Sequence, residues 1–345
     1  MMKNIFSSHN YGEKGNKVVS MSRSRLATGS LIVAVMGITL GYGAAIQTSD
    51  LREVNAFPIR ASTESYQFIK PLIGFEVGDK KEFDEYKPLE QKISSIIKTY
   101  EDEGKASSIS VYFRNVDSGR WTGVNEDDQY APASLYKVAL MIAYLKQVES
   151  HPEVLDRMIL FSASRQTEKP DYPPMTIGKA YSTMELIRRL IVYSDNDARD
   201  LLHDHINQHS VNDVFSDLGL EVPAGDDTGN SMSAKSYSRF FRTLYSATYL
   251  SQKMSELALT MLSQVEFKDG LVAGLPQSIP IAHKYGYRVL SENGNSANYQ
   301  LHDCGIVYEP EHPYFLCVMS KGENPGELKK VIQEISKLVY EEVKT

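Results

Sequence analysis

The order of apolar and polar positions divides this chain into a basic leader, one long apolar run, a mixed polar stretch and a patterned remainder. Residues 26–46 form a run of 21 without a charged side chain, long enough to cross a bilayer as a helix. From residue 89 the pattern becomes periodic. Leu89, Ile93, Ile96, Ile97 and Tyr100 share one helical face and predict an amphipathic helix over 89–100. Strand-like runs over 109–116 and 120–124 flank Asp117-Ser118-Gly119 and predict a β-hairpin. A largely helical middle comes next, over 134–265. The chain closes with strand-like runs over 279–287, 303–308 and 314–319 and a helix over 326–343. Strands near both ends with helices between them predict an α/β (α+β) fold. An antiparallel sheet is assembled from the two ends, and an all-helical subdomain packs against it.

Charge adds a topology. Residues 1–25 carry Lys3, Lys14, Lys17, Arg23 and Arg25 against Glu13 alone, a net of +4. A basic tail before the first apolar span stays in the cytoplasm and sends the rest of the chain outward. The expected order is a cytoplasmic tail over 1–25, a signal-anchor over 26–46, a stalk over 47–87 and a globular domain over 88–345. The length of the leader and of the apolar run favours a retained anchor over a cleaved signal peptide, although Gly43-Ala44-Ala45 is a small-residue cleavage site. Within the stalk, residues 66–73 are apolar enough to dock on the domain. The protein is therefore expected at the cell membrane, single-pass, with its bulk outside the cytoplasm.

Beyond the span, 32 basic residues stand against 43 acidic ones, a net of −11. Such a surface argues against nucleic acid as a partner. The only cysteines are Cys304 and Cys317, too few for a disulfide-dense scaffold or a closed four-thiolate zinc site. They face each other across the last predicted hairpin, where a disulfide is one reading and two buried free thiols are the expected state. His203 and His205 lie two apart on a predicted helix and so diverge. No metal or other cofactor is expected.

Three short strings carry the candidate chemistry: Ser134-Leu135-Tyr136-Lys137, Ser194-Asp195-Asn196 and Lys284-Tyr285-Gly286. Ser134 follows Ala131-Pro132-Ala133 and precedes an almost wholly apolar helix, so it sits at the N-terminus of a core helix with Lys137 one turn on. A serine hydroxyl is a poor nucleophile until a neighbour takes its proton, and a buried lysine made neutral by other cations can be that base. Ser194 is placed to pass a proton to the leaving group and Asn196 to hold a substrate amide, while Asp195 shapes the loop. Lys284, on a strand facing the cleft, is expected to bind a substrate carboxylate and to depress the pKa of Lys137. Gly286 lets substrate approach the backbone, and the N–H groups of Ser134 and Tyr287 would form an oxyanion hole.

Each string is cheap by itself. Ser95–Lys98 repeats the first within an amphipathic helix, Ser291–Asn293 the second, and Lys268-Asp269-Gly270 the third. Order and context make the set specific. The three strings, with Tyr193-Ser194-Asp195-Asn196-Asp197-Ala198 and His302-Asp303-Cys304-Gly305-Ile306-Val307-Tyr308 around them, make the chain from residue 88 onward resemble the class A β-lactamase family and its serine-hydrolase relatives. That resemblance implies a β-lactamase-like sandwich with Ser134 between the sheet and the helical subdomain. It also implies an acyl-enzyme on Ser134, formed with β-lactams or D-alanyl cell-wall peptides.

Two departures stand out. Tyr285 replaces the usual threonine of the third motif, which alters the carboxylate pocket. Family members that hydrolyse β-lactams carry a glutamate, in an E-x-x-L-N pattern, that activates the deacylating water. Here residues 218–227 run to the next helix too soon, and the pattern is absent. Glu221, Asp226 and Asp227 are the candidate substitutes. The expectation is a membrane-anchored serine hydrolase or acyltransferase that is slow to deacylate. The alternatives are a true β-lactamase with a substitute base, and a degenerate domain that only binds peptidoglycan or a protein partner.

Overall fold

The computed structural model describes residues 55–60, 66–78, 83–166, 170–222, 232–291 and 297–344. The expected anchor over 26–46 lies outside them. Among the described residues no helix is long and apolar enough to cross a membrane.

Strands β3 (Ser108–Asn115) and β4 (Trp121–Val124) form the first hairpin. Near the other end, β7 (Ile281–Ser291), β8 (Ala297–Val307) and β9 (Tyr314–Gly322) form a meander. β9 pairs antiparallel with β3, which closes a five-stranded sheet of order β4-β3-β9-β8-β7. The alternating side chains of these strands feed two cores. Ile109, Val111, Phe113, Leu316 and Val318 face α1 (Lys87–Asp102) and the last helix, α8 (Pro325–Val343). Tyr112, Phe315, Met319 and Ile306 face the helical body. That body holds α2 (Lys137–Val148), α3 (Thr183–Val192), α4 (Asn196–His205), α5 (Gln208–Asp217), α6 (Ala234–Tyr245) and α7 (Gln252–Ser263). Val138 to Leu145 of α2 are all buried, as a helix apolar on every side must be.

The structure alters three expectations. First, the meander is longer than its apolar pattern. β7 and β8 stay in register out to Ser291 and Ala297, carried by polar residues such as Arg288 and Gln300 on a hairpin end where alternation fades. The middle also holds a short pair, β5 (Met158–Leu160) with β6 (Ala180–Ser182). Second, the segment read as a stalk docks on the domain within the apolar stretch expected to do so, and in its described parts holds more structure than a spacer. It carries a hairpin of β1 (Asn55–Arg60) and β2 (Leu72–Gly78). Between these strands Phe68 and Ile69 are buried, and the N–H groups of Gln67, Phe68 and Ile69 converge on the Glu256 carboxylate at 2.8, 3.0 and 3.1 Å. The Arg60 guanidinium donates to Lys70 O at 2.9 Å and Ser246 Oγ at 3.1 Å and stacks over Tyr245. Third, Cys304 and Cys317 are joined in a disulfide rather than held as free thiols. They are direct cross-strand partners in the β8–β9 register, so both sulfurs lie on one face within bonding reach.

Candidate active site

The turn that carries Ser134 is held in an unfavourable backbone conformation from several directions. Residues Ala133–Tyr136 form a single 3-10 turn ahead of α2, and Ala133 has φ +47°, a left-handed value that costs a non-glycine residue roughly 1–2 kcal/mol. β8 supplies part of the restraint. Gln300 Oε1 accepts from Ala131 N at 3.1 Å, and His302 Nε2 lies 3.1 Å from Ala131 O. Burial pulls the His302 pKa down to about 4, so the ring is neutral. Its Nδ1 accepts from Ser320 N at 3.3 Å, which assigns the proton to Nε2 and makes that atom the donor to Ala131 O. From α6, Tyr237 Oη donates to Leu135 O at 3.2 Å. β7 presses on the turn at Gly286, where an added Cβ would lie 2.9 Å from Pro132 O. The result is a half-buried Ser134 between fully buried Ala133 and Leu135.

Lys137 begins α2 and is 1% exposed. Its Nζ donates to Ser194 O at 2.5 Å, Ser194 Oγ at 3.1 Å and Asn196 Oδ1 at 2.7 Å. Two residues of the second motif therefore meet the lysine of the first. Ser194 stands in the α3–α4 junction with φ +57°, again left-handed. The neighbouring Asp195, rather than Ser194, is the N-cap of α4, accepting from Asp197 N at 2.9 Å and Ala198 N at 3.2 Å. Its second oxygen pairs with Arg189 Nε at 2.8 Å, with side chains 1% and 11% exposed. Arg189 lies over the stacked rings of Tyr172 and Tyr193. Asp195 thus ties α3 to α4 and fixes the bend at Ser194. Asp195→Ala removes the cap and strands a buried guanidinium, and is expected to destabilise the domain by about 3 kcal/mol. Urea unfolding measures this directly, and a loss below about 1 kcal/mol, the size of a cap alone, would contradict the account.

The third motif lies on β7, which among the described residues is an edge strand of the sheet. Lys284 is fully buried. Its Nζ donates to Tyr285 O at 3.1 Å and sits 4.2 Å from the centre of the Tyr285 ring. Burial draws its pKa down to about 7, against the opposing pull of Asp303. Tyr285 stacks on Phe267 at 4.2 Å with 20° between the rings. Tyr287 is 44% exposed and stacks on Tyr299. Beneath the strand, His283 Nδ1 pairs with Asp303 Oδ1 at 2.8 Å, and Leu271 N donates to Asp303 Oδ2 at 2.9 Å. This buried pair fastens β7 to β8 and to the turn Leu271–Gly274.

The decoy strings lie elsewhere. Ser95 bonds to Gln91 O on the outer face of α1. Lys268 bonds to Val265 O, and Asp269 pairs with Lys329. Ser291 ends β7, and residues 292–293 lie outside the described residues. α5 ends at Asp217 and α6 begins at Ala234, and Met232 already pairs with Tyr130 just ahead of the Ser134 turn. Glu221 is exposed, whereas Asp226 and Asp227 lie outside the described residues. Sequence reasoning did not anticipate Gln300, Phe267 or Arg189. None of them sits in a motif, and His302 enters only as the first residue of a longer phrase.

The profile of the beta-lactamase enzyme family matches residues 88–343. Solved structures share the fold. A beta lactamase from Xanthomonas campestris pv. campestris superposes with a TM-score of 0.64 at 19% identity, over 74% of this chain and 98% of that one. A class A beta-lactamase from Mycobacterium abscessus gives 0.62 at 20%, over 74% and 99%. PBP-A gives 0.61 at 22%, over 74% and 95%, and a mutant of it has been solved as an acyl-enzyme complex with penicillin G. No curated protein matches the sequence. The chain belongs to the beta-lactamase enzyme family and is a serine hydrolase of that type.

Proposed function

We propose that this protein is a membrane-anchored, extracytoplasmic serine hydrolase or acyltransferase. It forms an acyl-enzyme on Ser134 with β-lactams or D-alanyl peptides and releases it slowly. The observation that carries the reading is the contact of buried Lys137 with Ser194 Oγ and Asn196 Oδ1, one helical turn beyond a serine held on a strained turn. In the proposed reaction Lys137 acts from its neutral form, which gives up one of its three donated bonds to free a lone pair: its Nζ takes the hydroxyl proton as Ser134 Oγ attacks the substrate carbonyl carbon. The carbonyl oxygen becomes an oxyanion between the N–H groups of Ser134 and Tyr287. Collapse breaks the carbon–nitrogen bond, and Ser194 Oγ hands the proton from Lys137 to the leaving nitrogen. Because Asn196 Oδ1 already accepts from Lys137, Nδ2 is the end of that amide that would donate to a substrate carbonyl. PBP-A, captured as a penicillin acyl-enzyme on the same fold, supports this outcome.

The apolar run at residues 26–46 and the basic tail before it support the anchor. Both parts of the proposal are tested in cells producing the full chain and treated with a fluorescent fluorophosphonate. The labelled band is expected in the membrane fraction, and protease added outside intact cells should degrade the domain and spare the tail. A labelled soluble form beginning near residue 46 would overturn the anchor. A folded, unlabelled protein would overturn the acyl-enzyme and favour a domain that only binds.

A further inference from the structure

Lys284 and the residue after it are arranged in a way that bears on which substrates the acyl-enzyme reading admits. A lysine that binds a carboxylate must offer its ammonium at direct hydrogen-bond distance, about 2.7–2.9 Å. Lys284 has no exposed surface. Its Nζ is turned under the Tyr285 ring, 4.2 Å from the ring centre, and donates to Tyr285 O at 3.1 Å. The ring face takes the place an anion would hold, as aromatic faces do for ammonium groups.

The ring is itself fixed from the other side. Its outer face lies against Phe267, with centroids 4.2 Å apart and 20° between planes. A threonine would end where this ring begins and would leave its volume open to substrate. A tyrosine clamped between Lys284 and Phe267 fills that volume. Reaching Lys284 requires breaking the stack. The amine is also a weak anion receptor before any substrate arrives, since burial has drawn its pKa down to about 7.

We propose that Tyr285 is a specificity-determining residue that closes the anion pocket over Lys284. The enzyme therefore accepts acyl donors uncharged beside the scissile bond in preference to those bearing a carboxylate there. The inference rests on the acyl-enzyme reading above and names its substrate class: neutral esters and amides, including peptide bonds within a chain, over C-terminal carboxylates.

Penicillin G and its methyl ester differ only at that carboxylate and serve as the probe pair. Acylation rates of the full chain are measured by competition with the fluorophosphonate. The wild-type acid-to-ester ratio is expected at or below unity. Tyr285→Thr should raise the ratio by about tenfold or more, the scale of one charge-assisted hydrogen bond. Phe267→Ala should raise it in the same direction by releasing the ring without changing residue 285. Tyr285→Phe keeps the ring and should keep the ratio low. A wild-type enzyme that strongly prefers the acid would overturn the inference. So would a ratio unmoved by both Tyr285→Thr and Phe267→Ala in protein that the fluorophosphonate still labels. Wild-type protein that the fluorophosphonate fails to label would instead remove the acyl-enzyme reading, and this inference with it.

Discussion

Replacing Ser134 by alanine is expected to abolish covalent labelling by fluorophosphonates and β-lactams, and Lys137→Ala to slow acylation by about 10²–10⁴-fold. The two changes act on one unit, so the double variant should be little worse than Ser134→Ala alone. The size of the Lys137 effect follows from its position. It is buried, and its Nζ reaches Ser194 Oγ and Asn196 Oδ1, so an alanine both deletes the base and leaves those groups without their shared donor. Ser95→Ala should change nothing, because Ser95 bonds only to its own helix on the far side of the sheet from the helical body. Labelling that survives Ser134→Ala would remove the nucleophile assignment.

The second large effect concerns release. Acylation draws on Ser134, Lys137, Ser194 and backbone N–H groups, whereas deacylation needs a further base aimed at a water. The chain between α5 and α6 lacks the E-x-x-L-N pattern, and the one candidate acid in its described part, Glu221, is exposed. A general base contributes roughly 10²–10⁴-fold, and its loss should slow release by that order without preventing the first step. Stopped-flow kinetics with a chromogenic β-lactam should show a burst of about one equivalent and a much slower steady state. Linear, fast turnover with no burst would show that a substitute base operates, with Glu221, Asp226 and Asp227 the first acids to replace.

Much of this architecture is legible in the order of residues alone. The α1 face at Leu89, Ile93, Ile97 and Tyr100, the alternation in β3 and β9, and the continuous apolar run of α2 are local signals with one physical solution each. The three motifs are legible for a related reason: within each, the chemistry depends on spacing along one turn or strand. The features that escape such reading depend on contacts between distant segments. The left-handed φ of Ala133 exists because Gln300, His302, Tyr237 and Gly286 surround one turn, and nothing in Ala-Pro-Ala announces it. The stack of Phe267 on Tyr285 joins residues whose separation carries no pattern. Residues 66–69 lie in a stretch apolar enough to dock, but only the fold shows Glu256 beneath their N–H groups. The predicted hairpin already sets Cys304 opposite Cys317; what the sequence does not decide is whether the facing thiols are joined, as they are across β8 and β9.

The central claim is that Ser134 carries an acyl group that outlasts its formation, and one measurement meets it head on. The full chain is mixed with penicillin G and, in parallel, with its methyl ester, sampled over time by intact-protein mass spectrometry and then digested for peptide mapping. The account predicts a single adduct on the peptide containing Ser134, persisting long after acylation is complete and absent from Ser134→Ala. An adduct on any other peptide, or complete consumption of both compounds with no adduct at any time, would contradict it.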